Sequence, residues 1–214
     1  MSLAAERPAL LVIAGPNGSG KTTLKERLDR QGIDFARHIN PDEIALALPG
    51  DDAVRTRAAQ IRADQLRAKY LAERLSFSFE TVMSHPSKVE FMRQAKAAGY
   101  FVVLYFVGVE DHAISVARVA DRVGKGGHNV PTAKIRPRYE NSMRLLADAA
   151  DTADRVYVFD NSGMGKERRL CAALDEKGLR AFSDPMPAWV RRYFVKPMEA
   201  RKHRRPLRSR PHGG

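Results

Sequence analysis

The stretch Ala9-Leu10-Leu11-Val12-Ile13-Ala14-Gly15-Pro16-Asn17-Gly18-Ser19-Gly20-Lys21-Thr22-Thr23 decides the fold. Six consecutive apolar residues without polar alternation read as a strand buried on both faces, as at the centre of a parallel sheet. The next eight residues match G-x-x-x-x-G-K-[ST] in full, and a helix is predicted from about Lys21 to Gln31. Glycines let successive backbone N–H groups approach phosphate oxygens, and the helix N-terminus adds its partial positive charge. A glycine-rich turn with a lone surface lysine would need neither the buried strand before it nor the helix after it. Gly15, Pro16, Asn17, Gly18, Ser19, Gly20, Lys21, Thr22 and Thr23 are therefore expected to hold a nucleoside triphosphate. Lys21 would reach the β- and γ-phosphates, and the Thr22 hydroxyl would ligate Mg²⁺. The cofactors implied are ATP and Mg²⁺.

Outward from this unit, strands and helices alternate. Short segments follow, a strand over 36–40 and a helix over 43–48, and then a long helix over 54–75. A strand is predicted over 75–80, with Phe77 and Phe79 on one side, followed by a helix over 87–98. The strongest strand spans 101–109 and leads into a helix over 111–123 and a break at Gly124, Gly126 and Gly127. A helix over 132–150 carries Pro137, expected to kink it. A strand over 156–160 and a closing helix over 165–177 complete the pattern. This order predicts an α/β three-layer sandwich on a parallel sheet, a P-loop NTPase core of the nucleotide-kinase type. The domain would span 1–183, with a helical lid at about 112–140. Residues 184–214 would form a basic extension, partly disordered.

Composition sets the outer bounds. Of 214 residues, 43% are apolar and 29% charged, which excludes a disordered or fibrous chain. No window reaches the eighteen apolar residues of a membrane span, and the N-terminus lacks a signal-peptide pattern, so a cytoplasmic protein is expected. A single cysteine, Cys171, excludes a disulfide framework. The net charge is +12, and Arg201, Lys202, Arg204, Arg205, Arg208 and Arg210 crowd the C-terminus without an acid among them. The rest of the chain is still basic, which suits an anionic substrate as well as nucleic acid. The tail reads as a solvated extension or as a weak nucleic-acid contact.

A small-molecule kinase needs a carboxylate near the acceptor hydroxyl and cations over the migrating phosphoryl group. Asn40-Pro41-Asp42-Glu43 puts Asp42 at the carboxyl edge of the sheet, where it would activate or orient the hydroxyl. The same string also reads as a helix start, with Asn40 as cap and Pro41 at the first position. Glu80, followed by Thr81, ends the next strand at that edge and would meet the acceptor or a magnesium-bound water; a turn-capping role is the alternative. Arg118 and Arg122 share one helical face, and Arg136 and Arg138 follow the glycine break. On a lid they would clamp the γ-phosphate; otherwise they form a solvated basic face. Pro137 leaves open which of Arg136 and Arg138 turns inward. Glu110-Asp111 and Asp160 read as turn or capping residues. His85, His112 and His128 lack metal-ligand spacing, and His128 reads as a loop-ordering residue.

Taken together these strings resemble the zeta-toxin family of P-loop kinases, especially its short single-domain members. The matching sequence comprises Gly15 to Thr22, Asn40-Pro41-Asp42-Glu43-Ile44-Ala45, Phe79-Glu80-Thr81, Arg118-Val119-Ala120-Asp121-Arg122-Val123, Gly126-Gly127-His128-Asn129-Val130-Pro131, Arg136-Pro137-Arg138-Tyr139 and Asp160-Asn161-Ser162-Gly163. The resemblance implies transfer of the ATP γ-phosphate to a sugar hydroxyl, with UDP-N-acetylglucosamine as acceptor. Asp42 would act as the activating carboxylate, Glu80 and Thr81 would bind substrate, and the lid arginines would hold the γ-phosphate. It also implies a nucleotide-sugar substrate and a small helical antitoxin partner. Two other readings stand beside it. One is a P-loop kinase for another hydroxyl (an antibiotic, a nucleoside or a polynucleotide end). The other is a nucleic-acid-associated ATP-binding module anchored by the basic tail.

Overall fold

The computed structural model describes residues 7–125, 130–163 and 168–204. Gly126, Gly127, His128 and Asn129, the predicted helix start at Gly165, and the basic tail from Arg205 onward lie outside the described residues. A seven-stranded sheet runs in the order β2 (Arg37–Ile39), β3 (Phe77–Thr81), β1 (Ala9–Ala14), β4 (Phe101–Gly108), β5 (Arg155–Asp160), β6 (Arg169–Asp175) and β7 (Gly178–Ala181). The first five of these are parallel, and the last two add an antiparallel hairpin to the β5 edge. From β1 the chain first builds outward on one side, to β3 and β2, and then on the other, to β4 and β5. The carboxyl end of β1 is thus the switch point where α/β folds bind ligands.

The buried strand splits the core in two by its period of two. Leu11 and Ile13 belong to one cluster with Leu24 and Leu28 of α1 (Lys21–Arg30) and with Val103, Tyr105 and Val107. Leu10, Val12 and Ala14 face the larger cluster, with Phe77, Phe79, Leu104 and Phe106. To that cluster α3 (Asp52–Ala72) adds Ala63, α4 (Ser87–Ala97) adds Val89 and Met92, and α6 (Thr132–Thr152) adds Met143 and Leu146. Both faces of the sheet are therefore dry, as an all-apolar strand requires. Two helices, α5 (His112–Gly124) and α6, share a small core of their own: Val119, Val130 and Ile135. α6 runs on through Pro137, which removes one N–H from the helix ladder without ending it.

Two expectations need correcting. Residues 169–175 were expected to continue a helix beginning near Gly165; instead Arg169–Asp175 is strand β6, paired antiparallel with β5. Its Ala and Leu residues have helix propensity, but a short apolar run has no decisive period, and pairing at the sheet edge overrides propensity here. The turn back to β7 is made by Lys177, whose N–H donates to Asp175 Oδ1 at 2.9 Å, and by Gly178 at φ 106°. The sheet is consequently mixed rather than wholly parallel.

The second correction concerns the extension from residue 184. Ala188–Val190 forms a short helix, α7, that continues through a π-helical stretch (Arg191–Val195) into α8 (Lys196–Arg204). Trp189, Val190 and Phe194 are at most 2% exposed and join the main cluster. Trp189 lies on Gly108, where an added Cβ would come within 2.4 Å of the indole, and donates from Nε1 to Asp160 Oδ1 at 2.8 Å. Arg201 donates to Ala147 O at 2.6 Å and pairs with Asp148 near the end of α6, so this basic residue is engaged in packing. Trp189→Ala is expected to destabilise the protein by about 3–5 kcal/mol, checked by urea unfolding. Trp189→Phe, which keeps most of the volume and loses the hydrogen bond, should cost nearer 1 kcal/mol.

Candidate active site

Register brings three strand ends together. Ile13 lies beside Glu80, Ala14 beside Thr81, and Ile39 beside Phe79. The Gly15 loop, the Glu80–Thr81 strand end and the Asn40–Asp42 turn therefore share one edge. The loop closes tightly on the sheet: the Gly15 N–H donates to Thr81 O at 3.3 Å, and a Cβ on Gly15 would lie 2.0 Å from Val107 O. No side chain fits there. Asn40 caps α2 (Pro41–Leu46) by accepting from the Asp42 N–H at 3.0 Å, with Pro41 in the first turn. The capping reading and the site reading of this string are thus compatible. The cap fixes the backbone of Asp42, and its carboxylate has no hydrogen bond or ion pair among the described residues.

At the centre lies Lys21. Its Nζ donates to Gly15 O and Pro16 O, both at 3.0 Å. Burial depresses its pKa below the ordinary 10.5, outweighing the opposing pull of Glu80 and Asp42, and nearby Arg122 lowers it further. Thr22 Oγ1 donates to Glu80 Oε2 at 3.0 Å. Glu80 is 7% exposed, and its Oε1 faces His38 Nε2 at 3.6 Å, too far for a hydrogen bond. His38 is held from its other side by Ser78 Oγ at 2.9 Å, which itself donates to Phe35 O at 2.6 Å.

A hydroxyl and a buried carboxylate side by side, Thr22 and Glu80, fit Mg²⁺, which takes few protein ligands and completes its shell with water and phosphate oxygens. Among the described residues no group of three or more His, Cys, Asp or Glu could hold a metal by itself.

These residues line a cleft of about 600 Å³. Asn17, Gly18, Gly20, Lys21, Thr22 and Thr23 line it from the loop and α1, Asp42, Glu80 and Thr81 from the strand ends, and Arg118, Arg122 and Arg138 from α5 and α6. Gly15, Pro16 and Ser19 shape the loop from beneath, all three buried. Arg136 is not brought in: it is exposed, pairs with Glu140 at 3.1 Å and borders a separate surface depression. Two residues along a helix are about 200° apart, so Arg136 and Arg138 cannot face the same way. Arg138 is half-buried and makes no hydrogen bond or ion pair among the described residues. Arg138→Ala is expected to lower phosphoryl transfer about 10²-fold, whereas Arg136→Ala should stay within about twofold, measured as kcat on the same substrates.

Sequence reasoning missed two further cations of the cleft. Arg67 is 2% exposed and lines it together with Lys88. Arg67 pairs with Asp64 and lies 5.0 Å from the Phe79 ring centroid, while Lys88 reaches the same Asp64 at 2.9 Å. Burial pushes the Asp64 carboxyl up, but Lys88 and Arg67 together hold it below its ordinary 3.8. A charge on the buried stripe Ala59–Ala63–Arg67 of α3, at intervals of four, was the available signal. Asp111 caps α5 by accepting from the Ala113 N–H at 2.7 Å, and Asp160 accepts from Ser162 and Trp189.

A mixed α/β sheet with parallel central strands, a complete phosphate-binding loop at its switch point and arginines across the cleft define a P-loop fold of the nucleotide-kinase type. The family model "Zeta toxin" matches residues 2–166, and the chain belongs to that family. An uncharacterized protein of Haemophilus influenzae is 29% identical over 126 residues, covering 58% of this chain and 88% of its own. Among solved structures, the AvrRxo1-ORF1:-ORF2 complex with ATP superposes with a TM-score of 0.66 at 15% identity over 84% of this chain. This chain spans 62% of that one. The PezAT chromosomal toxin–antitoxin system of Streptococcus pneumoniae gives a TM-score of 0.61 at 13% identity, covering 94% of this chain and 88% of its own. At such identities these two structures speak for the fold. Among the described residues no helix is long and apolar enough to cross a membrane.

Proposed function

We propose that the protein transfers the γ-phosphate of ATP to a hydroxyl of a nucleotide-activated amino sugar, with UDP-N-acetylglucosamine as the acceptor. The observation that carries this reading is the content of one cleft: the phosphate loop, an unpaired carboxylate, Asp42, and a second pair of cations, Arg67 and Lys88, joined through Asp64. The loop and Lys21 would hold the donor. A neutral sugar would need no cation beyond the acceptor hydroxyl, whereas the diphosphate of a nucleotide sugar would be met by Arg67 and Lys88. Asp42 would accept the hydroxyl proton as the acceptor oxygen bonds to the γ-phosphorus and the bridging β,γ P–O bond breaks, leaving ADP. Mg²⁺, near Thr22 and Glu80, would neutralise phosphate charge. Arg122 and Arg138, on the lid formed by α5 and α6, would balance charge on the migrating group.

The partner proposed is an antitoxin protein, following the PezAT toxin–antitoxin likeness. The acceptor assignment is tested by calorimetry. UDP-N-acetylglucosamine is expected to bind the wild-type protein, and Arg67→Gln combined with Lys88→Gln should weaken it at least tenfold, with ATP affinity kept. Free N-acetylglucosamine binding as well as the UDP-sugar, or no effect of the double substitution, would rule out a diphosphate-bearing acceptor.

A further inference from the structure

A second group of charges sits beside the phosphate loop and has no part in the transfer step described above. Arg168 lays its guanidinium against Gly20, where an added Cβ would lie 2.9 Å from Nη2 and 3.1 Å from Nε. Asn161 packs on the same glycine and donates from Nδ2 to Ser19 O at 2.7 Å. With φ at 91°, a conformation that residues with a Cβ rarely adopt, and with these two side chains against it, a substitution at Gly20 would strain the loop. Arg118 approaches from α5: its Cβ would be 3.3 Å from a Cβ on Gly18, and its Nη2 donates to Gly163 O at 2.9 Å. Arg27 of α1 completes the group, donating from Nη1 to Arg168 O at 3.4 Å.

Three guanidiniums thus share one place. Burial depresses the Arg168 pKa, Arg118 and Arg27 depress it further, and Glu26 alone opposes them. Arg168 Nε and Arg118 Nη1 are shielded from solvent and have no hydrogen-bond partner among the described residues. Buried cationic donors of this kind call for an anionic acceptor. Guanidinium N–H groups lie in the plane of the group, so a base stacked on its face would leave them unsatisfied; a phosphate oxygen at the edge would not. The cluster is also distinct from the transfer end: Lys21 feels Glu80, Asp42 and Arg122, whereas Arg168 feels Arg118, Arg27 and Glu26.

We propose that Arg168 and Arg118 hold the α-phosphate of the donor nucleotide, leaving Arg122 and Arg138 of the cleft as the γ-phosphate pair. This rests on the reading of the loop as the ATP site. It moves Arg118, expected from sequence at the γ-phosphate, to the opposite end of the triphosphate, and it adds Arg168.

The test is the affinity of the full chain for Mg-ATP, Mg-ADP and inorganic pyrophosphate, by calorimetry, for the wild type, Arg168→Gln, Arg168→Lys and Arg122→Gln. Arg168→Gln is expected to weaken ATP and ADP by the same factor, about ten- to hundredfold, with pyrophosphate within about twofold. Arg168→Lys, which keeps the charge, should recover part of the loss, and Arg122→Gln should weaken ATP but not ADP. Unchanged ADP affinity in Arg168→Gln overturns the assignment. An equal loss for pyrophosphate also overturns it, because Arg168 would then only brace the loop through Gly20. A wild-type protein that binds neither nucleotide would instead remove the ATP-site reading on which the assignment stands.

Discussion

Asp42→Asn is expected to lower kcat by about 10²–10⁴ while leaving ATP affinity within about twofold. The substitution keeps the size of the side chain and the cap on α2, because that cap is made by Asn40 accepting from the backbone N–H of residue 42. It removes the capacity to take a proton from the acceptor, together with one negative charge that acts on Lys21. Stability should therefore hardly change, and the loss should appear in kcat rather than in the melting temperature. A quench-flow or steady-state assay with matched calorimetry separates the two. Equal activity in Asp42→Asn would remove Asp42 from the chemistry and leave it as a turn residue.

Lys21→Met should have an effect of similar size by a different route. The side chain is buried among Glu80, Asp42 and Arg122, and its charge is the one placed to meet the β- and γ-phosphates. Losing it is expected to cost at least about 10²-fold in transfer and to weaken ATP far more than it weakens AMP. The same environment predicts a pH effect. Only the protonated amine neutralises phosphate, and burial brings its pKa below the ordinary 10.5. The alkaline limb of kcat/KM should accordingly fall at a lower pH than an exposed lysine would give, since that profile reports the free enzyme. Bound phosphate favours the charged form, so the corresponding limb of kcat should lie higher than that of kcat/KM.

The part of the fold nearest the chemistry was the most legible in the sequence. Ala9–Ala14 can be buried on both faces only inside a sheet, and the glycines and Lys21 after it have one shared purpose, so local pattern and tertiary role agree. Asn40 and Pro41 announce a helix start, and a helix start at a strand end fixes where Asp42 must be. Hairpin β6–β7 was not legible because Leu170 to Leu174 suits a helix or a buried strand equally, and the deciding contact, its pairing with β5, is long-range. Trp189 and Phe194 were hidden by the basic residues between and after them, yet their burial brings the C-terminal helices into the main core cluster. Arg136 and Arg138 could be told apart only once the helix phase around Pro137 was known. Arg67, Lys88 and Arg168 are single charges in unremarkable strings, and what gives them a role is the partner each meets: Asp64 for the first two, Gly20 for the third.

Mass spectrometry of both nucleotides, after mixing the protein with Mg-ATP and UDP-N-acetylglucosamine, bears most directly on the central claim. The predicted result is ADP together with a UDP-sugar species heavier by one phosphate, absent with Asp42→Asn. Conversion of ATP with the sugar nucleotide untouched would contradict the acceptor, and ATP bound but never turned over would contradict the kinase reading itself.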